Sequence, residues 1–303
     1  MSILVVGSVA LDSVETPFGE VEEVLGGSGT YFSTAASFFS GVKLVAVVGE
    51  DFPGEHTEFL ASRDIDLTGL QSAPGETFRW SGRYGYDLNE AHTLETRLNV
   101  FESFRPELPS GYEDADFVFL ANIDPELQLD VLRQVKNPQL VACDTMNFWI
   151  EGKRDALVKT LGHVDILIIN EGETRQLAED ANLVRAARKI LSWGPKTLVV
   201  KRGEYGVLMF TEHSIFSAPA YPLESVFDPT GAGDTFAGGF MGFLASTRNL
   251  SEKSIRQAIV FGSVMASFTV EDFSLNRMKT LEYAEIEERF RKIKLLTEFE
   301  GLG

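Results

Sequence analysis

Short apolar runs, rich in β-branched residues, recur along the chain with amphipathic stretches between them. The runs cover residues 3–9, 43–48, 117–120, 140–143, 165–169 and 197–200, and residues 34–39, 127–135, 155–161 and 183–191 have helical spacing. A strand that is apolar at every position is buried on both faces. Strands of that kind alternating with helices predict an α/β fold with a mostly parallel central sheet flanked by helices. In such sheets ligands bind beyond the carboxyl ends of the strands, so chemistry is expected there. Two stretches break the pattern. Residues 14–24 and 77–101 are polar and aromatic, with partial alternation at Phe78, Trp80 and Tyr84. They predict antiparallel strands forming a small lid inserted into the body, although a pair of surface hairpins would read the same way. From residue 232 the pattern is helical, through 233–246, 253–269 and 283–296. With no internal repeat or low-complexity linker, a single domain over 1–303 is expected.

Composition narrows the function. A hydrophobic fraction of 44% and a charged fraction of 24% are ordinary for a soluble globular protein. The formal net charge of -18, from 45 acidic against 27 basic residues, argues against nucleic acid or an anionic membrane as the main partner. It leaves open a phosphorylated ligand held by a few local donors. The one cysteine, Cys143, rules out an internal disulfide and sits in an apolar run that suits a small buried hydrophobe. The N-terminal stretch MSILVVGSVALD lacks a basic region and is too short to span a bilayer, so a cytoplasmic protein is expected.

The densest chemical signal is Asp228-Pro-Thr-Gly-Ala-Gly-Asp234, followed by residues with helical spacing at Phe236, Phe240, Phe243 and Leu244. A glycine-rich turn entering a helix N-terminus offers free N–H groups and the positive end of the helix dipole, which together make an anion site. Asp234, in the first turn, has two readings. It complements the dipole, worth about 0.3–1 kcal/mol, or it takes a proton from an attacking hydroxyl. The residues alone leave both open.

DPTGAGDTFAGGF resembles the second signature of the ribokinase-like (PfkB) carbohydrate and nucleoside kinases. The resemblance implies a ribokinase-like fold, with Asp234 as catalytic base and Gly231, Ala232 and Gly233 as an anion hole for the transferred phosphoryl. It extends over nearly the whole chain. Gly26-Gly27-Ser-Gly-Thr-Tyr-Phe-Ser followed by a helix and VAVVGEDFPG is similar to the family's first signature, which implies a hinge at Gly26 and Gly27. Alone, that pair reads as a turn before a helix. Asp12 matches the family's residue for substrate hydroxyls, although an isolated Asp there is also an ordinary turn residue. Asn170-Glu-Gly-Glu173 resembles the N-x-x-E element that positions magnesium and nucleotide phosphates, with Asn170 on the nucleotide side and Glu173 on the metal side; a capping box explains the same spacing. Lys201-Arg-Gly203-Glu-Tyr-Gly206 aligns with the turn lining the ATP site, and Ser263 with a helix position near adenine. Asp144 and Asn147, in DTMN, resemble a family D-x-N element near the active site, with one more residue between them. The implied ligands are ATP, Mg²⁺ and a monovalent cation. The implied partner is a small-molecule alcohol, and relatives often dimerise through the lid.

Departures bear on the acceptor. Tyr31 stands where ribokinase-type relatives usually carry a sugar-binding Asn, and Lys201 and Arg202 replace neutral residues. Phe78, Trp80, Tyr84 and Tyr86 suit stacking on a base or sugar, and equally a lid core or dimer contact. Only Arg79, Arg83, Arg97 and Arg105 offer themselves for an extra substrate phosphate. A nucleoside or ribose-type acceptor is therefore expected, with another sugar, a sugar phosphate or inositol as alternatives, and a non-catalytic sensor as a third reading. No G-x-G-x-x-G follows the first strand and no G-x-x-x-x-G-K-[ST] is present, which disfavours a dinucleotide oxidoreductase and a P-loop NTPase.

Overall fold

The computed structural model describes residues 2–89, 91–298 and 300; Glu90, within the second predicted lid stretch, lies outside them. Thirteen strands fall in two sheets. In chain order they are β1 (Ser2–Val6), β2 (Ala10–Thr16), β3 (Gly19–Gly26), β4 (Gly41–Gly49), β5 (Ile65–Ala73), β6 (Phe78–Tyr84), β7 (Ala91–Arg97), β8 (Phe117–Leu120), β9 (Leu140–Cys143), β10 (Ile166–Asn170), β11 (Thr197–Lys201), β12 (Val207–Phe210) and β13 (Ile215–Ala218). The nine-stranded sheet has the order β13-β12-β11-β10-β9-β8-β1-β4-β5, parallel from β11 to β5 with β12 and β13 antiparallel. The helices are α1 (Ser28–Ala36), α2 (Gly54–Ser62), α3 (Pro125–Gln134), α4 (Asn147–Gly152), α5 (Arg154–Leu161), α6 (Glu171–Ala178), α7 (Leu183–Leu191), α8 (Ala232–Thr247), α9 (Glu252–Thr269), α10 (Asn276–Thr280) and α11 (Tyr283–Leu296).

The alternation within β1 shows why its sequence is apolar throughout. Ile3 and Val5 join one core with Phe32 of α1, Phe240 of α8 and Phe268 of α9. Leu4 and Val6 join a second core with Val131 of α3, Leu157 of α5 and Ile190 of α7. Both faces are covered, so neither tolerates polar residues.

The apolar run at 3–9 is not one strand. It leaves the large sheet after Val6, where a Cβ on Gly7 would lie 2.7 Å from the backbone nitrogen of Gly29, and the chain resumes as β2 in the other sheet. The helix expected at 34–39 begins earlier, at Ser28, because Gly27 at φ +92° turns the chain into it. Its first residues include the fully buried Thr30, Ser33 and Thr34, whose polarity hides the periodicity. Strands β5, β12 and β13 carry no clear sequence signal and complete the sheet's two ends.

The second sheet has the order β3-β2-β6-β7 and draws on both stretches expected to form a lid. Two of its pairings are antiparallel as expected, but β2 and β6 run parallel, with Asp12 opposite Trp80. That pairing follows from the insertion of α1, β4, α2 and β5 between the two hairpins. Among the described residues no helix is long and apolar enough to cross a membrane.

The rings of Phe32 and Phe119 stack at 4.2 Å between α1 and β8, and both are wholly buried. Phe119→Ala should cost about 3–5 kcal/mol of folding stability, read from chemical denaturation. A loss below about 1 kcal/mol would show that this contact does not anchor α1 to the sheet.

Candidate active site

The turn at 228–231 is held from both sides. Asp228 is buried; its Oδ1 accepts the Thr230 N–H at 2.8 Å and its Oδ2 the Ser274 N–H at 3.1 Å. Gly231 then stands at φ +72° and caps α8 with no side chain. A Cβ there would lie 2.4 Å from the ring carbons of Tyr31, so only glycine fits beneath that ring. The Ala232 N–H donates to the Pro229 carbonyl at 3.2 Å. Of the three amides expected to form the anion hole, Ala232 is thus engaged. Those of Gly231 and Gly233 have no acceptor among the described residues and remain open.

Asp234 lies one turn into α8 and is partly exposed. Burial, then the Asp144 carboxylate, raises its pKa to about 7, while the Lys201 ammonium pulls the other way. Lys201 ends β11, and its Nζ lies 3.2 Å from Oδ2 of Asp144, just past the end of β9. Strands β9, β10 and β11 therefore deliver Asp144, Asn170 and Lys201 to one rim, where parallel sheets place their ligands.

Asn170 and Glu173 form a reciprocal capping box at the start of α6, each side chain accepting the other's N–H at 2.8 Å. The local explanation of N-x-x-E is therefore realised, and the same Glu173 faces Asp144, Lys201 and Asp234. Burial first, and Asp144 next, hold its carboxyl above the usual range. Asp144, Glu173 and Asp234 share a single lysine. That donor set is hard oxygen and under-neutralised, which fits a hydrated divalent cation. Among the described residues no three acidic, histidine or cysteine side chains gather closely enough to hold a metal alone.

Facing this rim is Asp12 on β2, almost fully buried, whose Oδ2 accepts the Gly27 N–H at 3.3 Å. Burial, followed by the carboxylates of Asp228 and Asp234, lifts its pKa to about 7. A Cβ on Gly26 would fall 1.9 Å from Asp12 Oδ2, so the expected hinge glycine also makes room for this carboxylate. Tyr31 is 1% exposed and its hydroxyl is buried with no partner. Its charge neighbours are Asp228, Asp12, Tyr84 and Asp234, which places it between the two carboxylates.

The other expected residues separate. Gly203 and Gly206 shape the turn after β11 at φ +53° and +85°, closed by Arg202 N–H to Gly206 O at 2.8 Å. Arg202 gives its Nε to Glu171 at 2.6 Å and is already neutralised there, which weighs against a phosphate role. Asn147 is exposed at the start of α4 and caps its own neighbour's N–H. Ser263 is buried on α9 with its hydroxyl unpartnered, outside the contacts that join the acidic cluster. The lid aromatics divide as well. Phe78 stacks on Phe101 at 5.4 Å, Trp80 bonds Thr93 at 3.3 Å, and Tyr86 is 91% exposed. Tyr84 alone reaches the turn, its hydroxyl accepting from Thr230 at 3.3 Å. Sequence reasoning assigned no role to Asp228, although it opens the motif, nor to Asn89, whose Oδ1 would lie 1.7 Å from a Cβ on Gly203. Nothing in the sequence around Asn89 marks that contact.

Comparison with known proteins identifies a family. The model of the pfkB family of carbohydrate kinases matches residues 2–280. A cytidine kinase of Thermococcus kodakarensis is 32% identical over 257 residues, 83% of this chain and 91% of its own. A nucleoside kinase of Methanocaldococcus jannaschii is 25% identical over 249 residues, covering 80% and 79%. The crystal structure of a Burkholderia thailandensis nucleoside kinase in complex with inosine superposes with a TM-score of 0.80 at 16% identity, covering 96% of this chain and 98% of the other, a likeness of fold. With the family model spanning nearly the whole chain and the site's motifs in their places, the protein belongs to the pfkB family of carbohydrate kinases.

Proposed function

We propose that the protein is an ATP-dependent nucleoside kinase that phosphorylates a ribose hydroxymethyl group. The observation that carries this reading is Asp234, a carboxylate of raised pKa at the N-terminus of α8 beside two open amides and across from Asp12. A base poised near neutrality suits removal of a hydroxyl proton. Asp12 accepts hydroxyls of the sugar and orients the acceptor oxygen toward Asp234. The acceptor proton passes to Asp234 as the new O–P bond forms. The bond from the γ-phosphorus to the β,γ-bridging oxygen breaks, and ADP leaves with the electron pair. The amides of Gly231 and Gly233 offset charge on the phosphoryl during transfer.

The choice of a nucleoside over a simple sugar rests on the cytidine kinase and nucleoside kinase relatives, and on Tyr31, which takes the place of a compact amide. The second sheet serves as the lid, with Asp12 and Tyr84 on its inner side and Gly26 and Gly27 as hinge. Glu173 would help to hold Mg²⁺, which would supply charge neutralisation of the nucleotide phosphates. A monovalent cation is the third expected ligand. Strand β7, exposed along its whole length, offers an edge for a homodimer.

Asp234→Asn should preserve folding and ATP binding while lowering turnover by about 10² to 10⁴; near-unmodified turnover would remove Asp234 as the base. The pH profile gives a separate check. Asp234 acts as a base only when ionised, and its pKa is raised to about 7. Hence kcat/KM for the acceptor should fall as pH drops below about 7, and a profile flat to pH 5 would count against this assignment. Chelation by EDTA should abolish ATP turnover and added Mg²⁺ restore it, whereas metal-independent turnover would exclude the proposed role of Glu173.

A further inference from the structure

Lys201 is a neutral-to-cation departure from the family pattern, and its surroundings give it a more specific task than lining a nucleotide site. Its side chain is 17% exposed and its one hydrogen bond among the described residues is to Asp144 Oδ2, at 3.2 Å. An ammonium carries three N–H donors, so two are unspent. They lie beside Gly233, where a Cβ would be only 2.7 Å from Nζ. The amides of Gly231 and Gly233 are also open. Spare ammonium donors thus lie beside the start of α8, where two amides are open and Asp234 stands in the first turn. A largely buried ion pair is a poor source of folding stability, because desolvation offsets its attraction. The pair is therefore better explained by what its spare donors meet.

We propose that Lys201 is a catalytic residue whose ammonium, oriented by Asp144, contacts the phosphoryl group in transit together with the Gly231 and Gly233 amides. This rests on the kinase reading of the site. A donor set fixed by the protein stabilises charge where it develops and needs no reorganisation during transfer. Asp144 keeps the lysine from pairing with Asp234 and quenching the base.

The test is a split between ground-state and transition-state effects. Lys201→Met should lower kcat by about 10² to 10³ while changing KM for ATP by less than about threefold, and Lys201→Arg should recover part of the loss. Since Lys201→Met strands Asp144 without its counter-ion, the paired variant Asp144→Asn with Lys201→Met serves as the folding-safe form and should show the same loss. Calorimetry gives a readout besides turnover. Binding of ADP with aluminium fluoride and the nucleoside should weaken in Lys201→Met, and binding of ADP alone should not. An unchanged kcat, a rise in KM for ATP alone, or equal weakening of both complexes would overturn the assignment. Absence of turnover by the unmodified protein with every nucleoside and sugar offered would overturn the kinase reading, and the lysine assignment with it.

Discussion

The site depends on one backbone conformation, Gly231 at φ +72°. That residue turns the chain from the buried Asp228 into α8 and lies flat against the Tyr31 ring. A side chain at 231 would strain the backbone and push Tyr31 away, moving α1 and α8 apart at once. Because the turn has no capping side chain, the amides at the start of α8 are left for a ligand. A helix with a Ser or Asp cap would spend those donors on itself. The stabilisation forgone at this terminus leaves donors of the kind that suit an anion.

Charge follows from the same arrangement. Asp12, Asp144, Glu173 and Asp234 all have pKa values raised first by burial, and among the described residues Lys201 is the cation that opposes this for the last three. Such crowding costs folding energy, since each carboxylate ionises against the others. The fold tolerates it because two large cores, one on each face of the sheet, carry the stability elsewhere. A ligand that brings a cation relieves the crowding, so the electrostatics of the site favour its binding.

Reading from the sequence worked where the signal was local. The all-apolar runs at 117–120 and 140–143 match β8 and β9 residue for residue, since a strand buried on both faces permits nothing else. The DPTGAGD turn was legible because glycine and proline constrain the backbone by themselves. Strand β5 was not, since its burial alternates irregularly and it holds Asp66, Thr68 and Gln71 at an edge. The parallel pairing of β2 with β6 was missed because two separate hairpins look antiparallel until their insertion is known. Tyr84 and Asn89 were beyond reach for a similar reason: each meets a residue more than a hundred positions away, Thr230 and Gly203. Contacts of that range leave no mark on local periodicity.

Those two contacts bear on how the second sheet works. Tyr84 touches the turn before α8, and Asn89 touches the turn after β11. A third contact, Ser274 Oγ to Leu25 O at 2.6 Å, secures the base of the same sheet. The sheet therefore touches both the turn before α8 and the turn after β11. The two hydrogen bonds among these contacts, Thr230 to Tyr84 and Ser274 to Leu25, contribute about 0.5–1.5 kcal/mol each. Any shift of the β6–β7 turn moves both contacts together, because the hydrogen-bonded β2–β6 pair ties Tyr84 to the strand that carries Asp12. A displacement of this sheet would therefore move Asp12, Tyr84 and Asn89 together, and with them the contacts to the start of α8 and to the turn after β11.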